Sequence, residues 1–69
     1  MPYVRWFDER YGDLFEIYYS EAGEFEGAMR SVGEVGHDSL YYHSLGELPP
    51  YHRNKIENLI WKRIHPPKE

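Results

Sequence analysis

Leu14-Phe15-Glu16-Ile17-Tyr18-Tyr19 is the stretch on which the fold of this 69-residue chain turns. Phe15, Ile17 and Tyr19 recur at every second position and so share one face of an extended segment, while Glu16 and Tyr18 take the other. Aromatic and β-branched residues dominate both here and in Tyr3-Val4-Arg5-Trp6-Phe7 upstream. Between the two lies Asp8-Glu9-Arg10-Tyr11-Gly12-Asp13, with a glycine where a hairpin would turn. The pair therefore reads as the arms of a β-hairpin. A helix competes, because Phe7, Tyr11, Leu14, Phe15 and Tyr18 also fit helical spacing, interrupted at Gly12. The hairpin is the stronger reading.

Outward from the hairpin, the C-terminal segment is the clearest helix. Pro49-Pro50 suit a first turn, where a missing N–H leaves no intrahelical bond unmade. Ile56, Leu59, Ile60 and Ile64 then form one apolar stripe, and Pro66-Pro67 stops the helix at His65. The spacing predicts a helix over residues 49–65, with His52 at the edge of the core, Trp61 outside the stripe, and Lys55 and Lys62 on the far side. A helix of this length is marginal alone and must pack its stripe on something.

The middle of the chain is open to two readings. Ala22, Phe25, Met29 and Val32 follow helical spacing, with Glu21, Glu24 and Glu26 early and Arg30 late, a polarity that suits a helix dipole. Gly23 and Gly27 oppose a helix, and 25–32 reads equally as a strand with a bulge. Ser39-Leu40-Tyr41-Tyr42-His43 reads as a further short strand after a turn at Gly33–Gly36. The expectation is a single α+β domain over residues 1–69. It has a small antiparallel sheet, made of the hairpin plus one or two short strands, packed against the C-terminal amphipathic helix. A second short helix in the middle is the open alternative, and residues 66–69 form a tail.

Composition excludes much. There is no cysteine, hence no disulfide framework, thiolate zinc site or cysteine nucleophile. No apolar run approaches the ~20 residues of a membrane span, and Met1-Pro2-Tyr3 reads as the native start of a cytoplasmic protein. Aromatic residues make up 17% of the chain, and its seven tyrosines exceed what one small core encloses, so some rings are expected at the surface. The net charge of −4 hides an uneven division. Residues 1–48 hold three basic against ten acidic side chains, a balance of −7, whereas residues 49–69 hold five against two, a balance of +3.

Chemistry is hard to place on this pattern. Four histidines are many, but none falls at metal-ligand spacing on the helix. His37 and His43 would share a strand face beside Asp38, and neither metal nor cofactor is expected there. Ser20, Ser31, Ser39 and Ser44 lie in no nucleophile elbow, no phosphate-cradling glycine loop occurs, and no carboxylate is marked for an apolar pocket. A chain this small also lacks room for a ligand pocket of ~300 Å³ beside a core. Catalytic residues are therefore not expected. Direct nucleic-acid binding would fall to the C-terminal helix with Arg53, Lys55, Lys62, Arg63 and Lys68, but these form no single stripe and the overall charge opposes phosphates. Such a small nucleic-acid-binding or regulatory module is the alternative.

Protein binding fits better. Tyrosine and tryptophan are favoured interface anchors, and Trp61 lies off the helix stripe. The acidic set of the first half is Asp8, Glu9, Asp13, Glu16, Glu21, Glu24, Glu26, Glu34, Asp38 and Glu47. Of these, Asp8, Glu9, Asp13, Glu16, Glu21, Glu24 and Glu26, together with Tyr18, form the expected partner-binding surface. Carboxylates displayed on a small rigid scaffold match the spacing of phosphates, and a basic nucleic-acid-binding groove on a partner would be steered toward them.

In size, in its single cysteine-free α+β domain, and in the acidic segment Asp8 to Glu26 with interleaved tyrosines, the chain resembles the small acidic anti-defence proteins of phages, of which the anti-CRISPR proteins are best known. The resemblance implies a non-enzymatic inhibitor that binds a host surveillance complex at its DNA-recognition surface, as a DNA mimic in the host cytoplasm. The protein would act as a monomer or small homo-oligomer. The +3 helix departs from a uniformly acidic mimic.

Overall fold

Period two prevails over helical spacing throughout the first half of the chain. The computed structural model describes residues 2–32 and 38–66. Strands β1 (Tyr3–Asp8) and β2 (Asp13–Tyr19) form the expected hairpin, turning through Glu9 to Gly12. Strand β3 (Phe25–Val32) pairs with β2, and β4 (Asp38–Tyr42) pairs with β3. The result is an antiparallel sheet in which spatial order follows sequence order, β1-β2-β3-β4. A single turn of 3₁₀ helix, Leu45–Glu47, leads to helix α1 (Pro50–Ile64), which carries the chain back along one face of the sheet.

The open question over residues 21–32 resolves as a strand, with no helix there. Phe25 to Ser31 pairs with Tyr19 to Leu14 of β2 and Ala28 to Val32 with Tyr42 to Asp38 of β4, so the centre of the strand is held from both sides. A solvated helix with two glycines offers no comparable set of backbone partners. The register of β2 against β3 shifts between Tyr18 and Tyr19, the bulge that the glycines suggested. Gly23 closes the β2–β3 turn with φ +87°, and a side chain at that position would collide with Ile64 at the end of α1.

The two faces of the sheet have different fates. Val4, Phe15, Ile17, Tyr19 and Ala28 turn toward α1 and are buried with Leu48, Ile56 and Ile60, while Trp6, Phe25, Tyr42, Leu59 and Ile64 pack around them. The predicted helix stripe is thus the stripe that docks. Trp61 is 57% exposed, as its position off the stripe requires. Helix α1 lacks a side-chain N-cap but starts on a proline in its first turn and places Lys62 and Arg63 in its last, where cations suit the dipole. No helix among the described residues is long and apolar enough to cross a membrane. Glu34, His37 and Lys68, and with His37 the shared face expected with His43, lie outside the described residues.

Candidate protein-binding surface

The face of the sheet that α1 leaves uncovered is built by the same alternation that fills the core. From β1 it takes Tyr3, Arg5 and Phe7; from β2, Leu14, Glu16 and Tyr18; from β3, Gly27, Met29 and Ser31; from β4, Ser39 and Tyr41. Tyr3, Phe7, Leu14, Met29 and Tyr41 all stand exposed, Tyr3 at 51% and Phe7 at 55%. At about 200 Å² per aromatic side chain, the half-exposed rings of Tyr3, Phe7 and Tyr41 alone present roughly 300 Å². That area is comparable to the largest apolar patch of a typical monomer, which is often a functional one.

Polar bonds hold this face in shape. Glu16, at its centre, accepts from Arg5 Nε at 3.2 Å and from the Tyr18 hydroxyl at 2.8 Å. The Glu16 carboxylate raises the pKa of the Tyr18 phenol, through that hydrogen bond first and burial second, so Tyr18 stays a donor. The rings of Tyr3 and Tyr18 lie 6.2 Å apart. Gly27 has φ +153°, and the side chain it lacks leaves the space that the Tyr41 ring crosses, so Tyr41 lies across the sheet.

The expected acidic surface is only partly assembled. Asp8 and Asp13 are not at the surface: each is buried and spent on an internal partner. Asp13 accepts from Arg30 Nε at 2.7 Å, and Arg30 also reaches the Tyr42 hydroxyl at 3.3 Å while lying over the Phe15 ring. Glu16 is half-buried at the centre of the open face. Glu9 is exposed in the β1–β2 turn at one end of the sheet, whereas Glu21, Glu24 and Glu26 are exposed at the opposite end, in and after the β2–β3 turn. No single surface carries all eight residues. Tyr18 and Glu16 are the two that the open face brings together.

Asp8 is the most buried charged or polar side chain among the described residues. Its carboxylate is 0% exposed, and Oδ2 accepts from His52 Nε2 at 2.8 Å. Oδ1 accepts from the Arg10 backbone N–H at 3.1 Å, with the Tyr51 hydroxyl at 3.4 Å. Burial alone would raise the Asp8 pKa, but the His52 bond and charge, with the Arg10 and Tyr11 backbone N–H groups, outweigh it and hold the carboxyl below its ordinary 3.8. The rings of Trp6, Tyr11, Phe15 and Tyr51 surround His52 at 5.1–6.1 Å. Sequence reasoning marked no carboxylate for an apolar site, although Val4, Trp6 and Asp8 alternate onto the core face and His52 sits at the edge of the helix stripe. The bond ties α1, through His52, to β1, through Asp8.

A second departure from expectation is a groove. The chain was judged too small for a pocket, yet about 550 Å³ lies between the β2–β3 turn, the segment His43 to Leu45 and the C-terminal half of α1. Gly23 and Ile64, which lie in contact range of each other, both line it. No group of three or more metal-ligating side chains occurs among the described residues. Compared with family models, curated proteins and solved structures, the chain matches none.

Proposed function

We propose that the protein is a non-enzymatic binding protein that grips another protein with the open face of its sheet. The observation that carries this reading is the row of exposed rings and aliphatic side chains, Tyr3, Phe7, Leu14, Met29 and Tyr41, on a four-stranded surface that no described element covers. Exposed tyrosines supply anchor area with little conformational entropy to lose. The partner we propose is a protein with a basic nucleic-acid-binding surface, inhibited in the manner of an anti-CRISPR protein. Arginine side chains stack on tyrosine faces, and Glu9 at one end with Glu21, Glu24 and Glu26 at the other would steer a basic groove onto the face between them. A carboxylate at the centre of the face and the negative charge of the flanking turns argue against stacking of single-stranded bases there.

Protein immobilised through its C-terminus is expected to retain, from host-cell extract, a protein whose own nucleic-acid binding is then blocked at about one equivalent. The variant Tyr3→Ala/Phe7→Ala is expected to retain none of it while keeping the wild-type circular dichroism. Retention unaffected by those substitutions overturns the assignment to the open face. A retained partner that still binds nucleic acid, or no partner at all, overturns the inhibitor.

A further inference from the structure

The groove beside the β2–β3 turn is a surface separate from the open face of the sheet, and its chemistry points to a ligand of its own. Its lining is largely apolar, with Phe25, Leu45, Ile60, Ile64 and the indole of Trp61, and His43 and Ser44 also border it. Two carboxylate residues line it, Glu24 from the turn and Glu57 from α1. Among the described residues neither takes part in an ion pair. Among the described residues no lysine or arginine lines the groove. Lys62 and Arg63 are adjacent in sequence to lining residues of α1, which turns them about 100° away from Trp61 and Ile64 respectively. Glu21 and Glu26 flank the same turn and add to the negative potential around the mouth.

An apolar trough with two unpaired carboxylates and an aromatic wall selects against anions and favours a cation carried on an apolar body. The trough also has a length. Glu57 to Ile64 is seven steps of helix, or about 10 Å, which is the span of about three residues of extended chain. We propose that this groove binds a short extended peptide segment in which one arginine or lysine is flanked by aliphatic side chains. The aliphatic groups settle on Phe25, Ile60 and Ile64. The cation lies between Glu24 and Glu57 and against the Trp61 ring, which His65 holds by stacking at 4.5 Å.

The probe is the acetylated, amidated tripeptide Leu-Arg-Leu, titrated into the full chain while indole fluorescence and backbone amide resonances are followed. A saturable change below about 1 mM is expected. The fluorescence change should disappear in Trp61→Phe, and amide shifts should concentrate at Gly23, Glu24 and Leu45. Glu24→Gln/Glu57→Gln, two exposed positions whose exchange leaves the fold unchanged, is expected to weaken binding about tenfold, as loss of two exposed ion pairs implies. Leu-Glu-Leu should not bind. Equal binding of Leu-Glu-Leu, undiminished binding by the double variant, shifts confined to the open face, or no saturable change overturns the proposal. Tyr3→Ala/Phe7→Ala should bind Leu-Arg-Leu as wild type does, so failure here is distinguishable from failure of the partner assigned to the sheet.

Discussion

Asp8→Ala is expected to lower the unfolding free energy by about 3 kcal/mol, the scale for breaking a buried charged pair by removing one member. At roughly 0.05–0.15 kcal/mol per residue the whole chain has roughly 3–10 kcal/mol to lose, so this one change brings it near the edge of folding. Three donors lose their acceptor together: His52 Nε2, the Arg10 N–H and the Tyr51 hydroxyl. His52 is already strained in this respect, because its Nδ1 is buried with no partner among the described residues. Replacing both members, Asp8→Leu with His52→Leu, is expected to recover part of the loss, since no imidazole is then left unpaired, while the Arg10 N–H and the Tyr51 hydroxyl still lack their acceptor.

The same group sets an acid limit. Its pKa is lower in the folded than in the unfolded chain, so as pH falls the unfolded chain takes up the proton first. The stabilisation is present above the ordinary aspartate value of 3.8 and is lost as pH drops through the depressed folded value. Urea midpoints measured between pH 7 and pH 2 are expected to fall below about pH 4 in the wild type, and Asp8→Asn should remove this group's share of the fall. An Asp8→Asn curve that follows the wild type would show that the acid limit lies in other carboxylates.

The second large effect is expected at Phe15. The side chain is 0% exposed and joins the two halves of the interior: its ring stacks on Trp6 at 5.2 Å, meets His52 at 5.1 Å, and carries the Arg30 guanidinium at 5.5 Å. Phe15→Ala is expected to destabilise by about 4 kcal/mol, through lost transfer energy and the cavity left behind, and to leave much of the protein unfolded at 37 °C. Phe15→Leu, which keeps most of the volume, should lose less than half of that. Thermal unfolding followed by near-ultraviolet dichroism checks both, and a loss under 1 kcal/mol for the alanine variant would refute this account of the core.

Much of this architecture could be read from local pattern. Phe15, Ile17 and Tyr19 at period two gave the inward face of β2, and Ile56, Leu59, Ile60 and Ile64 gave the docking stripe of α1. The segment 25–32 could not be decided locally, because Phe25, Met29 and Val32 satisfy helical spacing. What makes it a strand is pairing on both edges, and the partners are supplied by other parts of the chain. The interior role of Asp8 was half-visible. Alternation with Val4 and Trp6 points it at the core, but its partner His52 is 44 residues away, and which helix residue meets which strand residue depends on how α1 lies on the sheet. For the same reason Asp13 was counted as surface charge although Arg30 claims it. The groove left no local signature at all, since its walls come from three segments that meet only in the folded protein.

The ordering of the sheet also sets an expectation about time. Every strand pairs with its neighbour in sequence, so no strand waits for a distant one. Local pairings of this kind form quickly and with little entropic penalty. Helix α1 is different: its docking must bring His52 back to Asp8 across 44 residues. The sheet is therefore expected to assemble first and the helix to clamp it afterwards. Substitutions such as Ile56→Val and Ile60→Val should then act mainly on the unfolding arm of a chevron plot, leaving refolding almost unchanged. In that sense α1 behaves as a latch, and the lifetime of the folded state is governed by how long the latch holds.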